Sequence, residues 1–267
     1  MSWGDSGAST NHAGRHGVND SSGSWPEPGV FSKRRCLGLA LLAGMIAGLV
    51  SWAGGEAIYG RFIPPLIATG GFPSIEEIEA AEQARRDGAN KEASLTAAML
   101  GASLGLTLGL AGGFVAGNAR KSMKAAMAGL IVGGLGSGAA AWLLTPVFLK
   151  NYNPDTDVML LAIAIYGSIS MVSGAIAGLA FGMGLRSDPT NSPSGLLGST
   201  LQGGLMGAAL AVVVFQVAGM IAFPLSQTTL PVSSSKASRL TSHLLVALLC
   251  AFGSAQFAIA RFRKRQE

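Results

Sequence analysis

Long uncharged apolar runs alternate with short polar stretches along this chain, and the runs set its organisation. A helix needs about 20 predominantly apolar residues to cross a hydrocarbon core of about 30 Å. Six runs meet that requirement, at about 37–55, 94–119, 125–148, 158–185, 195–223 and 242–260. The fold class predicted is an all-α integral membrane protein, a bundle of six transmembrane helices, because a helix satisfies its own backbone in lipid.

The second run contains GASLGLTLGLAGGFVAG, in which Gly101, Gly105, Gly109, Gly113 and Gly117 recur at every fourth position with no charge between them. In a water-soluble helix each glycine costs about 1 kcal/mol against alanine, and five on one stripe would melt it. In lipid the helix has no competitor, and the stripe becomes a groove in which another helix backbone lies close. Small-residue rows recur at Gly129 and Gly133, at Gly174, Gly178 and Gly182, and at Gly203 and Gly207, beside Ser199 and Ala211. These twelve glycines are the predicted helix-packing positions, a glycine-zipper pattern whose partner is either within the chain or in a second copy. The segments GLAGGFVAGNAR from Gly109 and GAIAGLAFGMGLR from Gly174 match in glycine spacing, and Gly133-Gly134-Leu135 matches Gly203-Gly204-Leu205. This hints that the second and third spans are duplicated as the fourth and fifth.

The polar stretches divide the rest. Residues 1–32 are rich in Gly, Ser, Asn and Asp, too poor in apolar side chains to bury a core, and read as a disordered cytoplasmic tail ahead of the membrane domain, 33–267. His12 and His16 stand four apart, but a solvated tail explains them better than a metal. Lys33-Arg34-Arg35 then opens the first span, which reads as an uncleaved anchor rather than a signal peptide, since five more spans follow. The loop at 56–93 is the longest between spans. Ser74 and Glu77 form the S-x-x-E capping box, acidic residues follow, Arg85 and Arg86 come late, and Gly88 is a natural stop. This predicts a short extramembrane helix at about 75–87.

Charge fixes the threading. Charged residues are 12% of the chain, about half the roughly 25% of soluble domains. Mean hydropathy is +0.44. The net charge of +5 gathers in clusters that abut spans, which points to membrane insertion and away from nucleic acid. Six spans place Lys33, Arg34, Arg35, Arg120, Lys121, Lys124, Arg186, Arg261, Arg263, Lys264 and Arg265 on one face. The positive-inside rule makes that face cytoplasmic, with both termini inside, as in a bacterial inner membrane.

Candidate chemistry is sparse. No charge lies in the apolar cores. Glu56, with Tyr59 nearby, and His243 fall at the outer interface and are expected in water. Asn118, Gln202, Gln216 and Gln256 suit interhelical hydrogen bonds, or a polar path. Ser168, Ser170 and Ser173 can bond to their own backbone. No H-E-x-x-H, no G-x-S-x-G and no Cys/His set with metal-ligand spacing occurs, and Cys36 and Cys250 are not expected to pair. No catalytic, metal or cofactor-binding residue is assigned. The expected partners are the bilayer and either a second copy or another membrane protein. The leading expectation is a non-enzymatic structural or assembly protein of the membrane. The alternative is a channel or facilitative carrier for a small neutral solute.

Overall fold

The computed structural model describes residues 32–62, 64, 74–153, 158–186, 195–224, 228–230 and 232–264. Each apolar run lies in one helix: α1 Lys33–Ile58, α2 Ile75–Val115, α3 Ala119–Asn151, α4 Met159–Leu185, α5 Leu196–Ala222 and α6 Lys236–Arg263. All six are long and apolar enough to cross a membrane, and no strand occurs among the described residues. The expectations for the tail at 1–31, with His12 and His16, and for Arg265 fall outside the described residues.

Several helices start earlier than hydropathy alone predicts, because polar caps lie beyond the apolar runs. Ser32 Oγ accepts from Arg35 N, Asn118 Oδ1 from Lys121 N, and Ser235 Oγ from Ser238 N. Each satisfies a backbone donor that the first turn leaves free. Asn118 is therefore a cap and not part of a polar path. Pro146 lies inside α3 without ending it.

The largest departure is α2. Its capping box forms as predicted, with Glu77 N donating to Ser74 Oγ and Ser74 N to Glu77 Oε2. The helix does not stop at Gly88, however, but runs on for 41 residues. A glycine ends a helix when it turns left-handed, and Gly88 is not among the glycines with positive φ. Good helix formers on both sides, Ala84 and Ala89 among them, carry the helix through it. At 1.5 Å per residue α2 is roughly 60 Å long, about twice a hydrocarbon core. Nearly every residue from Ile75 to Asp87 is exposed, and buried positions begin at Gly88, with Lys91 and Leu95 still exposed.

Gly117 is the second correction. It does not pack against a helix: its φ is +69°, and nothing lies within 4 Å of where a Cβ would be. Gly117 N donates to Phe114 O and Asn118 N to Gly113 O, the pair of bonds that closes a helix through a left-handed glycine.

Helices α2, α4 and α6 form an inner triangle, and each odd helix lies in a groove between two even ones. Thus α3 covers α2 and α4, α5 covers α4 and α6, and α1 covers α6 and α2. Neighbours in sequence are antiparallel. Gly101 meets Gly133 while Gly113 meets Ser122, and Gly174 meets Gly204 while Gly182 meets Thr200. The basic clusters therefore share one end of the bundle, where Arg35 Nη2 donates to Phe114 O at 3.3 Å. The α2–α3 and α4–α5 hairpins occupy equivalent places in this triangle, yet their matched glycines make unmatched contacts. Gly109 opposes Ala126, whereas Gly174, its counterpart in sequence, opposes Gly204, which aligns with Gly134.

The larger core cluster lies toward the basic end, where Leu104, Leu108, Ala177, Phe181 and Ala208 are wholly buried, and a smaller one at the other end gathers Ala141, Phe148, Ala162, Ile165 and Ile169 of α3 and α4. The outward faces carry large apolar side chains, such as Leu135, Leu143, Leu160 and Ile221.

Candidate functional site

At the basic end the backbones of α2 and α4 meet directly. A Cβ on Gly112 would collide with Phe181 O, and one on Gly184 would lie 2.6 Å from Gly109 O. At the other end no such contact between these two helices occurs at the described glycines Gly101, Gly105, Gly167 or Gly174. There the side chains of α2, α3, α4, α5 and α6 line a partly open cavity of about 130 Å³. That volume holds a few waters or one molecule about the size of benzene.

Its surface is mostly apolar, although nine of the eighteen lining residues are polar, and among the described residues it carries no Asp, Glu, Lys or Arg. Thr96 on α2, Thr145 on α3, Tyr166 on α4 and Gln216 on α5 all line it. Thr96 Oγ1, Thr145 Oγ1, Tyr166 Oη and Gln216 Oε1 are buried without a hydrogen-bond partner. Leaving such an atom unmade costs about 1–3 kcal/mol, and four of the eight such atoms among the described residues belong to residues around this one space. Tyr166 is held in place by packing against Phe148, ring centroids 5.3 Å apart.

The roof of the cavity is the connection between α5 and α6, which contributes Thr228, Leu230 and Ser233. Gln216 Nε2 donates to Thr228 O at 3.3 Å, so one side chain both lines the cavity and holds its roof. The roof is held a second time from α6. Arg239 Nη1 donates to Ser233 O at 2.7 Å and Ser234 O at 3.1 Å. The same guanidinium grips Glu56 of α1 with two bonds, Nε to Oε1 at 2.6 Å and Nη2 to Oε2 at 3.1 Å. It also lies over the Tyr59 ring, 3.6 Å from the centroid. Ser233 and Ser238 share a short hydroxyl–hydroxyl contact beneath it.

One turn further along α6, His243 lines the cavity wall. Ser51 donates its hydroxyl to Gly48 O at 3.0 Å, so its 2.8 Å bond to His243 Nδ1 requires the proton on that nitrogen. Glu92, at the outer part of α2, accepts from Gly60 N at 3.2 Å and ties the end of α1 to α2.

Three expectations are corrected here. His243 is 8% exposed and not solvated, because α1 packs across it. Glu56 is not a free interfacial carboxylate, because Arg239 folds back onto it, its side chain only 5% exposed. Gln216 does bond away from its own helix, but to the roof rather than to another span. Ser168 bonds to its own backbone as expected, and Ser173 Oγ lies 2.8 Å from Ser137 Oγ of α3 and 3.2 Å from Ile169 O. Gln202 is exposed. Cys36 and Cys250 are both buried and free.

Of the predicted packing glycines, Gly101, Gly105, Gly109, Gly113, Gly129, Gly133, Gly174, Gly178, Gly182, Gly203 and Gly207 all sit where an added Cβ would overlap another helix of this same chain. Gly112, Gly184 and Gly253 do so as well and were missed. Their signal was weak, since Gly112 and Gly184 fall off the four-residue rows. Thr96, Thr145, Tyr166, Thr228 and Arg239 were missed too. A tyrosine in the middle of an apolar run, as at Tyr166, was the one available clue. Comparison with protein-family models, curated proteins and solved structures finds no match.

Proposed function

We propose that this chain is a non-enzymatic, multi-pass integral membrane protein that carries a small neutral solute, with its basic end in the cytoplasm of a bacterial cell. Six helices of membrane-spanning length and apolar outward faces support the location. The gathering of Lys33, Arg34, Arg35, Arg120, Lys121, Arg186 and Arg261 at one end supports the orientation. Glycine rows acting as grooves for neighbouring helices hold the bundle together in this reading.

The observation that carries the reading is the asymmetry of the two ends: a partly open cavity with polar lining at one, and backbone contact between α2 and α4 at the other. An open channel needs a continuous path, whereas a carrier opens its site to one side at a time. Self-association through the glycine rows loses its contact surface, because eleven of the twelve glycines proposed for it already have partners within the chain. The close-packed basic half favours a structural role as the second reading.

Reconstituted protein is expected to raise the glycerol permeability of proteoliposomes above that of protein-free vesicles, with saturation at high glycerol. Permeability equal to that of empty vesicles, for protein shown to be folded, removes the carrier reading and leaves the structural one.

A further inference from the structure

The composition of the cavity wall says which solute it would take. Three hydroxyls, those of Thr96, Thr145 and Tyr166, have no partner and can each donate or accept. Gln216 Oε1 has no partner either and can only accept, its amide nitrogen being engaged by Thr228 O. Thr145 is wholly buried and Gln216 is 2% exposed. Among the described residues no charged side chain lines the space, so a carboxylate entering it would find no countercharge to offset its lost hydration. The apolar part of the lining, Leu100, Ile169, Val212, Phe215 and Val246, lies on α2, α4, α5 and α6, next to the polar residues or about one turn nearer the basic end.

We infer that the cavity is a binding site for one small uncharged molecule that carries both an N–H or O–H donor and an oxygen acceptor, of the class of simple amides and short polyols. The donor goes to Gln216 Oε1, the acceptor receives the hydroxyls of Thr145 and Tyr166, and any methyl group lies against Val212 and Ile169. This rests on the carrier reading for its purpose but not for its chemistry. Selectivity follows from polarity. A site built to hydrogen-bond a solute rejects an analogue that leaves its buried groups unpaired, and a site without countercharge rejects an ion of the same shape.

Acetamide and acetate have nearly the same shape and differ in charge, which makes them the appropriate probes. Equilibrium binding of labelled acetamide to the purified full-length protein is expected to be saturable, with acetate unable to compete. Thr145→Val keeps the shape of the wall and removes one hydroxyl, and Gln216→Leu removes the acceptor. Each is expected to weaken acetamide binding about tenfold or more, in protein whose thermal transition shows it to be folded. Acetamide binding that is absent, unaffected by both variants, or equally competed by acetate overturns the assignment. Acetamide flux into proteoliposomes that neither variant changes would remove this site and keep the carrier reading. Binding with the predicted selectivity but no flux would keep the site and remove the carrier.

Discussion

Gly105 and Gly129 face each other across α2 and α3 so closely that a Cβ on either would run into the other's carbonyl. Gly198, on the exposed face of α5, has nothing within 4 Å. The two positions therefore separate a glycine's packing role from its helix propensity. Gly105→Ala forces the helices apart and is expected to destabilise by about 1–3 kcal/mol, the usual cost of overpacking a filled core. Gly198→Ala is expected to be neutral or slightly stabilising. Thermal unfolding of the two variants in one detergent tests this, and equal midpoints would contradict it. The periodic rows were legible in the sequence because spacing four keeps residues on one helix face. The role of Gly117 was not, since the row continues through it and only φ reveals a turn.

At the scale of elements, the Glu56–Arg239 pair joins the end of α1, the start of α6 and the connection that roofs the cavity. Removing one member of a buried, hydrogen-bonded pair leaves the other charge uncompensated, which typically costs about 3–5 kcal/mol. Partial exposure of Glu56, 19% at its side chain, puts the expectation at the low end, about 3 kcal/mol for Arg239→Met. Glu56→Leu combined with Arg239→Met should recover much of that loss, because neither charge is then stranded. Unfolding midpoints of the two single variants and the double variant measure it, and strictly additive losses would refute the coupling. Glu56 was visible in sequence as a carboxylate beside an apolar run, whereas Arg239 was not singled out. Their pairing was not legible, because 183 positions separate them and the link depends on α1 lying against α6. The start of α2 was legible for the opposite reason, since a capping box is complete within four residues. Its passage through Gly88 was not, because the glycine signal is read without the φ that decides it.

Over the whole molecule, antiparallel helices carry the described basic clusters that abut the apolar spans to one end and leave the cavity at the other. The first half of that arrangement follows from the count of apolar runs and the positions of Lys and Arg, both one-dimensional properties. The cavity is three-dimensional: Thr96, Thr145, Tyr166 and Gln216 come from four different helices and converge only through the register in which those helices pack. The most direct measurement is thiol labelling of single cysteines in a protein lacking Cys36 and Cys250, using a small membrane-impermeant reagent applied from each side. Ser170 lines the cavity, and Ser137 lies wholly buried against Gly101 and Ser173. Ser170→Cys is expected to react from the face opposite the basic clusters, and Ser137→Cys from neither face. No reaction of Ser170→Cys from that face, or reaction of Ser137→Cys in folded protein, would contradict a cavity that opens toward one side of a sealed bundle.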